Sequence, residues 1–123
     1  MKLVVGIVRP ERLEAVKEEL ARAKVFRLTV SDAQGFAPTD GPGAASAAAA
    51  YARAAGGAEP VRKVKLEVAV NEPFVEPTVQ AILRGANGGE GASNSSGGDG
   101  VVFVLPLDEA VRIRTGERGP EAI

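Results

Sequence analysis

The chain has 123 residues, which suffice for one domain and are too few to build a second hydrophobic core. Its 15 Lys and Arg nearly balance its 16 Asp and Glu, so bulk charge does not point to nucleic acid or to an anionic membrane. Cysteine and histidine are absent, which excludes disulfides, thiolate nucleophiles, imidazole bases and the common zinc sites. No activated pair stands out among the remaining side chains, and we predict that the protein is not an enzyme.

The amino-terminal segment carries no sign of membrane targeting. A spanning helix needs about 18 consecutive apolar residues, and no run in the chain approaches that length. Pro10 interrupts the apolar start of the chain too early for the hydrophobic core of a signal peptide. We therefore expect a cytoplasmic protein that neither inserts into a membrane nor binds nucleic acid.

The first half of the chain predicts a strand, a helix and a second strand. Residues 2–8 form a β-branched apolar run of strand length, and the Arg9-Pro10 step suits the start of a helix. Apolar residues then recur at helical spacing, which predicts an amphipathic helix. They are Leu13, Val16, Leu20 and Ala21. The segment 25–36 returns to strand character, with Leu28 and Val30 on one side.

The second half repeats this order. Apolar and charged residues alternate in the segment 61–70, as is typical of a strand with one buried face. The apolar set is Val64, Leu66, Val68 and Val70. Asn71 suits the cap of a second helix, whose predicted apolar stripe is Val75, Val79, Ile82 and Leu83. A glycine-rich loop from Gly85 to Gly100 leads into the strand "VVFVLP", and "AVRIRT" predicts a short final strand.

Two successive strand-helix-strand halves favour a ferredoxin-like α+β fold, a βαββαβ sandwich with an antiparallel sheet and two helices on one face. Helices on one side leave the other face of the sheet open. We expect Val4, Val8 and Phe26 to be exposed in a monomer, and the chain therefore to form a homo-oligomer.

Several segments of the chain together resemble one family. They are "MKLVVGIVRPERLEAVKEELA", "LTVSDAQGF", "KVKLEVAV", "GGDGVVFVLPLDEAVRIRTGE" and a final "EAI". In this order they resemble the PII signal-transduction proteins. The most specific matches are the Arg9-Pro10 helix start, Lys63-Val64-Lys65 and the segment from Arg112 to Glu117.

The resemblance implies one PII-like domain over residues 1–123 that acts by binding. PII proteins are homotrimers that bind ATP or ADP in clefts between subunits, sense 2-oxoglutarate beside the nucleotide, and contact target proteins through a long T-loop. The resemblance places the T-loop at about 37–60, a glycine-rich B-loop at about 85–100 and a carboxy-terminal loop at about 112–123.

The resemblance also implies a nucleotide site, in which each residue has an ordinary structural alternative. Arg112 and Arg114 match the family's phosphate-contacting arginines, and the alternative is a solvated strand face. Lys63 matches a family lysine that pairs with phosphate or 2-oxoglutarate. The alternative for Lys63 is a place on the solvent-exposed side of its strand. Thr29 and Glu67 match positions near the adenine ring. Their alternatives are an ordinary strand residue and an ion pair with the neighbouring lysine.

Both loops depart from the family pattern. Pro38 and Thr39 stand where the family has an arginine that reaches the phosphates and a glutamine that helps hold magnesium and 2-oxoglutarate. Gly98-Asp99-Gly100 keeps the backbone turn of the B-loop, but Val101 replaces its lysine. Losing one charge-assisted contact costs about 1.5–3 kcal/mol. We therefore expect weakened ATP or ADP binding, Mg²⁺ only with the nucleotide, and impaired 2-oxoglutarate sensing.

An alanine-rich stretch, 41–57, occupies the place of the T-loop. The sequence from Ala44 to Ala55 favours a short helix that ends at Gly56-Gly57. Because so short a helix is marginal alone in water, we expect it to pack on a protein partner. The predicted contact residues are Ala48, Tyr51, Ala52, Arg53 and Ala55. Some PII proteins accept a nucleotidyl group on a T-loop tyrosine, but the alanines around Tyr51 favour a packing role.

Two functions stay open at this stage. The leading one is a PII-type regulatory protein with a residual adenine-nucleotide site. The alternative is a divergent or engineered PII trimer that serves as a building block of a larger assembly through its rebuilt loop.

Overall fold

The computed structural model describes residues 1–35, 61–87 and 100–123. Several predictions fall outside these residues: the alanine-rich helix with its partner contacts, the roles of Pro38 and Thr39, and the turn at Gly98 and Asp99.

Within the described ranges the chain forms four strands and two α-helices. The strands are β1 (Lys2–Val8), β2 (Thr29–Gly35), β3 (Val61–Val70) and β4 (Gly100–Pro106), and the helices are α1 (Leu13–Arg22) and α2 (Glu72–Asn87). Short 3₁₀ helices span Pro10–Arg12 and Gly119–Ala122. The strands form one sheet in the order β2-β3-β1-β4, and every neighbouring pair is antiparallel. The ferredoxin-like α+β fold is confirmed.

The core lies between the two helices and one face of the sheet. The predicted alternation of β3 is confirmed, because Val64, Leu66, Val68 and Val70 are all buried in one apolar cluster. The largest fully buried side chains of the cluster come from β1, β3 and both helices. They are Val4, Val8, Val16, Leu20, Leu66, Val68 and Ile82, together with the buried polar residue Thr78.

The two helices are in close contact at Gly85. A Cβ atom at this position would lie 2.5 Å from Val16 Cα and 2.7 Å from Val16 N, which no side chain tolerates. Arg12 Nε donates a 2.9 Å hydrogen bond to the carbonyl oxygen of Gly85. This carbonyl belongs to the last turn of α2, where helix geometry supplies no partner.

The second helix differs from its prediction at its end and along its apolar stripe. It continues to Asn87, past Gly85, where the loop was expected to begin. Of the predicted stripe, Ile82 is fully buried and Val75 and Val79 pack against the core, but Leu83 is 38% exposed. The small residues Ala81, Gly85 and Ala86 are buried in its place. Asn71 precedes the helix as predicted, but its Oδ1 is buried and accepts no hydrogen bond from any described residue, so it is not a side-chain cap.

The prediction that Val4 and Val8 face the open side of the sheet was wrong. Both are buried against the helices, because Val4 pairs with Val68 and Val8 with Val64 across the sheet. The open face carries other apolar residues, and on β4 Val101, Phe103 and Leu105 are 43–50% exposed. Phe26, which precedes β2, is 73% exposed, as predicted.

Candidate functional site

One group of predicted site residues lies on the open face where β2 meets β3. Thr29 is directly opposite Glu67 in the strand register. Both line a hollow of about 430 Å³ whose wall also includes Leu28, Ala69 and the end of the chain at Ala122 and Ile123. Glu67 also forms an ion pair with Lys65, with a 3.1 Å separation between Lys65 Nζ and Glu67 Oε1. Glu67 therefore makes the ion pair with the neighbouring lysine that was its structural alternative. It still lines the hollow.

The predicted final strand "AVRIRT" is absent from the described residues. Val111 makes a single bridge to Arg118, and residues 113–115 form a turn. Gly116 allows this turn because its φ is +74°, in the left-handed region that favours glycine. Its N–H donates a 2.7 Å hydrogen bond to the carbonyl oxygen of Arg112. Strand alternation therefore does not place Arg112 and Arg114 on one face.

The two arginines have different surroundings. Arg112 Nη1 lies 3.2 Å from Glu117 Oε2, and its Nη2 donates a 2.7 Å hydrogen bond to the carbonyl oxygen of Glu121. Arg114 is exposed. Within the part of the chain that the structure describes, its side chain makes no hydrogen bond or ion pair. The guanidinium of Arg112 is therefore held by contacts within the chain, and that of Arg114 is open to solvent.

A second group of site residues lies at the other end of the sheet. Val8, the last residue of β1, pairs with Val64 on one side and Gly100 on the other. Lys63 therefore lies one residue beyond this point on β3, on the open face. Gly100 has φ +116°, and a Cβ there would lie 1.9 Å from the carbonyl oxygen of Ile7. Only glycine fits at this position.

The structure does not bring the two groups together within one chain. Lys63 is four residues from Glu67 along β3, a distance of about 13 Å at the usual rise of an extended strand. Gly100 and Thr29 begin the two edge strands, β4 and β2, with β1 and β3 between them. At the usual spacing of strands this separation across the sheet is about 14 Å. Each chain therefore presents two separate parts of the predicted nucleotide site.

Sequence reasoning missed two features of the site. Glu117 was noted only as the end of a matching segment, although it is the ion-pair partner of Arg112. A second hollow of about 300 Å³ is lined by Lys24–Arg27, by the start of α2 and by Arg112. Among the described residues, no group of three or more acidic side chains could hold a metal ion. No helix in these ranges is long and apolar enough to cross a membrane.

Comparison with known proteins decides the family. The sequence matches the family "Nitrogen regulatory protein P-II" over residues 1–117. The chain belongs to the P-II family. It is 46% identical to nitrogen regulatory protein GlnK1 of Methanosarcina mazei over 123 residues, which cover 100% of this chain and 97% of that protein. It is 37% identical to nitrogen regulatory protein P-II of Azospirillum brasilense over the full length of both.

A solved P-II structure shares the fold. It is the citrate-bound PII of Arabidopsis thaliana, which matches with a TM-score of 0.73 at 35% identity and covers 99% of this chain and 91% of that one. P-II membership supports a role as a signalling regulator. It also gives coarse support to the prediction that the protein is not an enzyme.

Proposed function

We propose that the protein is a P-II-type regulator that binds ATP or ADP in the clefts between the subunits of a homotrimer. The observation that carries this proposal is the division of the predicted nucleotide residues into two groups on one sheet. Lys63 and Gly100 lie at one end, and Thr29 and Glu67 lie further along and across the sheet. Two neighbouring chains can complete a site that one chain leaves divided.

The open face of the sheet supports the homotrimer. Val101, Phe103 and Leu105 expose 43–50% of their surface on β4. Val5, on the neighbouring strand, pairs with Phe103 and is itself only 9% exposed, so the exposed apolar side chains of this face lie on β4. A cluster of exposed apolar side chains favours an interface, and closed symmetric association buries it in every subunit.

The proposed nucleotide site is weaker than the family pattern implies. Val101 is 45% exposed at the position where the family has its phosphate-binding lysine. Mg²⁺ would enter only with the nucleotide, and 2-oxoglutarate sensing is impaired because Pro38 and Thr39 replace its arginine and glutamine. The protein would act in the cytoplasm on a protein partner that contacts residues 41–57.

Calorimetric titration of ATP with Mg²⁺, with and without 2-oxoglutarate, tests this function, and light scattering gives the mass in the same buffer. We expect a trimer that binds ATP and responds little to 2-oxoglutarate. A monomer at micromolar concentration would contradict the proposal. A trimer or larger particle that binds no nucleotide would favour the alternative, a structural building block, for which the exposed Val101 is the supporting observation.

A matched pair of variants tests the proposed site itself. We predict that Lys63→Gln weakens ATP binding about ten- to hundredfold, because it removes one charge-assisted phosphate contact. Arg62→Gln removes the same charge from the neighbouring residue, which lies on the opposite face of β3. It should leave ATP affinity unchanged. Equal losses in the two variants would show that only net charge matters.

A further inference from the structure

We propose that Glu117 competes with bound phosphate for Arg112 and so sets the affinity of the nucleotide site. This inference rests on the proposed function, because it concerns how the same site takes up a phosphate group. It adds an affinity-determining residue that binds no ligand and acts through the arginine it holds.

The contacts of Arg112 carry the inference. Its Nη1 lies 3.2 Å from Glu117 Oε2, and its Nη2 donates a 2.7 Å hydrogen bond to the carbonyl oxygen of Glu121. Arginine binds phosphate most strongly when two parallel N–H groups of its planar guanidinium donate to it. Both terminal nitrogens are already engaged by the chain. A phosphate that approaches this edge must therefore displace the Glu117 carboxylate.

The ion pair is weak enough to be displaced. The side chains of Arg112 and Glu117 are 33% and 44% exposed, so water and salt screen their attraction. While the ion pair stays in place, Arg112 Nη1 is not available to phosphate, which lowers affinity. This loss disappears when the Glu117 charge is removed.

The local backbone does not depend on the Glu117 side chain. The N–H of Arg112 donates a 2.8 Å hydrogen bond to the carbonyl oxygen of Glu117, and the Gly116 N–H donates a 2.7 Å bond back to the Arg112 carbonyl. Val111 and Arg118 form a backbone bridge just outside these two bonds. Glu117→Gln therefore removes the charge and keeps the hairpin that positions Arg112.

The same segment offers a matched control. Glu109 Oε1 lies 2.5 Å from Arg118 Nη1, in an exposed ion pair with a different arginine. Glu109→Gln makes the same change of charge eight residues away along the chain. An effect of net charge alone would be equal in the two variants.

The experiment titrates ATP with Mg²⁺ into the intact protein at low salt, with the oligomeric mass checked for each variant. We expect Glu117→Gln to bind ATP about two- to fivefold more tightly, the range for releasing an exposed ion pair. Glu109→Gln should stay near wild type. In an Arg112→Gln background the further change Glu117→Gln should not raise ATP affinity, because the arginine for which Glu117 and phosphate compete is absent.

Each other outcome overturns the inference. If the wild type binds ATP and Glu117→Gln binds it no more tightly, the inference is wrong and the proposed function still stands. Equal tightening by Glu109→Gln, or tightening that persists without Arg112, assigns the effect to net charge. If no variant binds ATP, Glu117→Gln included, the proposed function fails and the inference falls with it.

Discussion

The two faces of the sheet carry similar apolar side chains but differ in what covers them. On the helix face, Val4, Leu66 and Val68 are at most 1% exposed beneath α1 and α2. On the other face, β4 alone leaves Val101, Phe103 and Leu105 nearly half exposed. One face is covered by the chain itself, and the other is the face that we propose to be covered by a second subunit. On that proposal the stability of the fold and the assembly of the protein depend on different residues.

The largest effect expected from this comparison is loss of assembly. We predict that Phe103→Glu, which puts a charge on the open face, converts the oligomer to monomers because a buried unpaired charge is costly. Light scattering or analytical ultracentrifugation measures the mass. Phe74→Glu is the matched control, since Phe74 is a comparably exposed phenylalanine on α2. If both variants keep the mass of the wild type, the open face of β4 is not the interface.

The second prediction concerns the covered face. Leu66 is fully buried at the centre of the core, and Leu66→Ala should lower the free energy of unfolding by about 2–5 kcal/mol. Its register partner on β2, Val30, is 41% exposed. Val30→Ala should therefore cost much less, and denaturant titration of the two variants compares them. A similar cost at both positions would show that the edge strand is as tightly packed as the centre.

The third prediction tests the contact between the helices. Gly85→Ala should destabilise the fold by about 1–3 kcal/mol, because its methyl group would meet backbone atoms of Val16 that can move only if the helices separate. At Gly35 a methyl group would meet mainly the flexible side chain of Lys63, at 3.3 Å. Gly35→Ala should stay close to wild type in the same denaturation experiment. A neutral Gly85→Ala would mean that the helices can separate at little cost.

These positions also show how far the sequence predicts the fold. The alternation of β3 was readable because apolar and charged residues take turns there, and Leu66 was placed correctly in the core. Strand β1 is apolar on both sides, so its pattern does not say which side meets the helices. Its pairing with β3 decides that question, and this is why Val4 and Val8 were assigned to the wrong face.

The candidate site was less predictable than the fold. The motif of Arg112 and Arg114 was visible, but alternation implied a strand that Gly116 turns into a hairpin. The partner of Arg112 follows from that hairpin, because the turn brings Glu117 back beside it. Family resemblance supplied the residues of the site. Their division between two ends of the sheet became visible only with the strand register.

The smallest predicted effect concerns a partly exposed ion-pair network that joins the two helices. The hydrogen bond from Arg84 Nε to Glu19 Oε2, at 2.9 Å, joins α2 to α1, and Arg22 also pairs with Glu19. Arg84 chiefly, with Arg22, holds the pKa of Glu19 below its ordinary value of 4.5. The folded state therefore binds this proton less tightly than the unfolded chain does.

The sign of the pH dependence follows from that lowered pKa. The contribution of Glu19 to stability is complete above its unfolded pKa and is lost as the pH falls through its lower folded pKa. Glu19→Gln should therefore be slightly less stable than wild type at pH 7, and the difference should shrink toward pH 3. Urea unfolding at both pH values measures it. Glu18→Gln is the control, because Glu18 makes no hydrogen bond or ion pair within the described residues. A Glu19→Gln difference that is the same at both pH values would mean that packing, and not the charge of Glu19, joins the helices here.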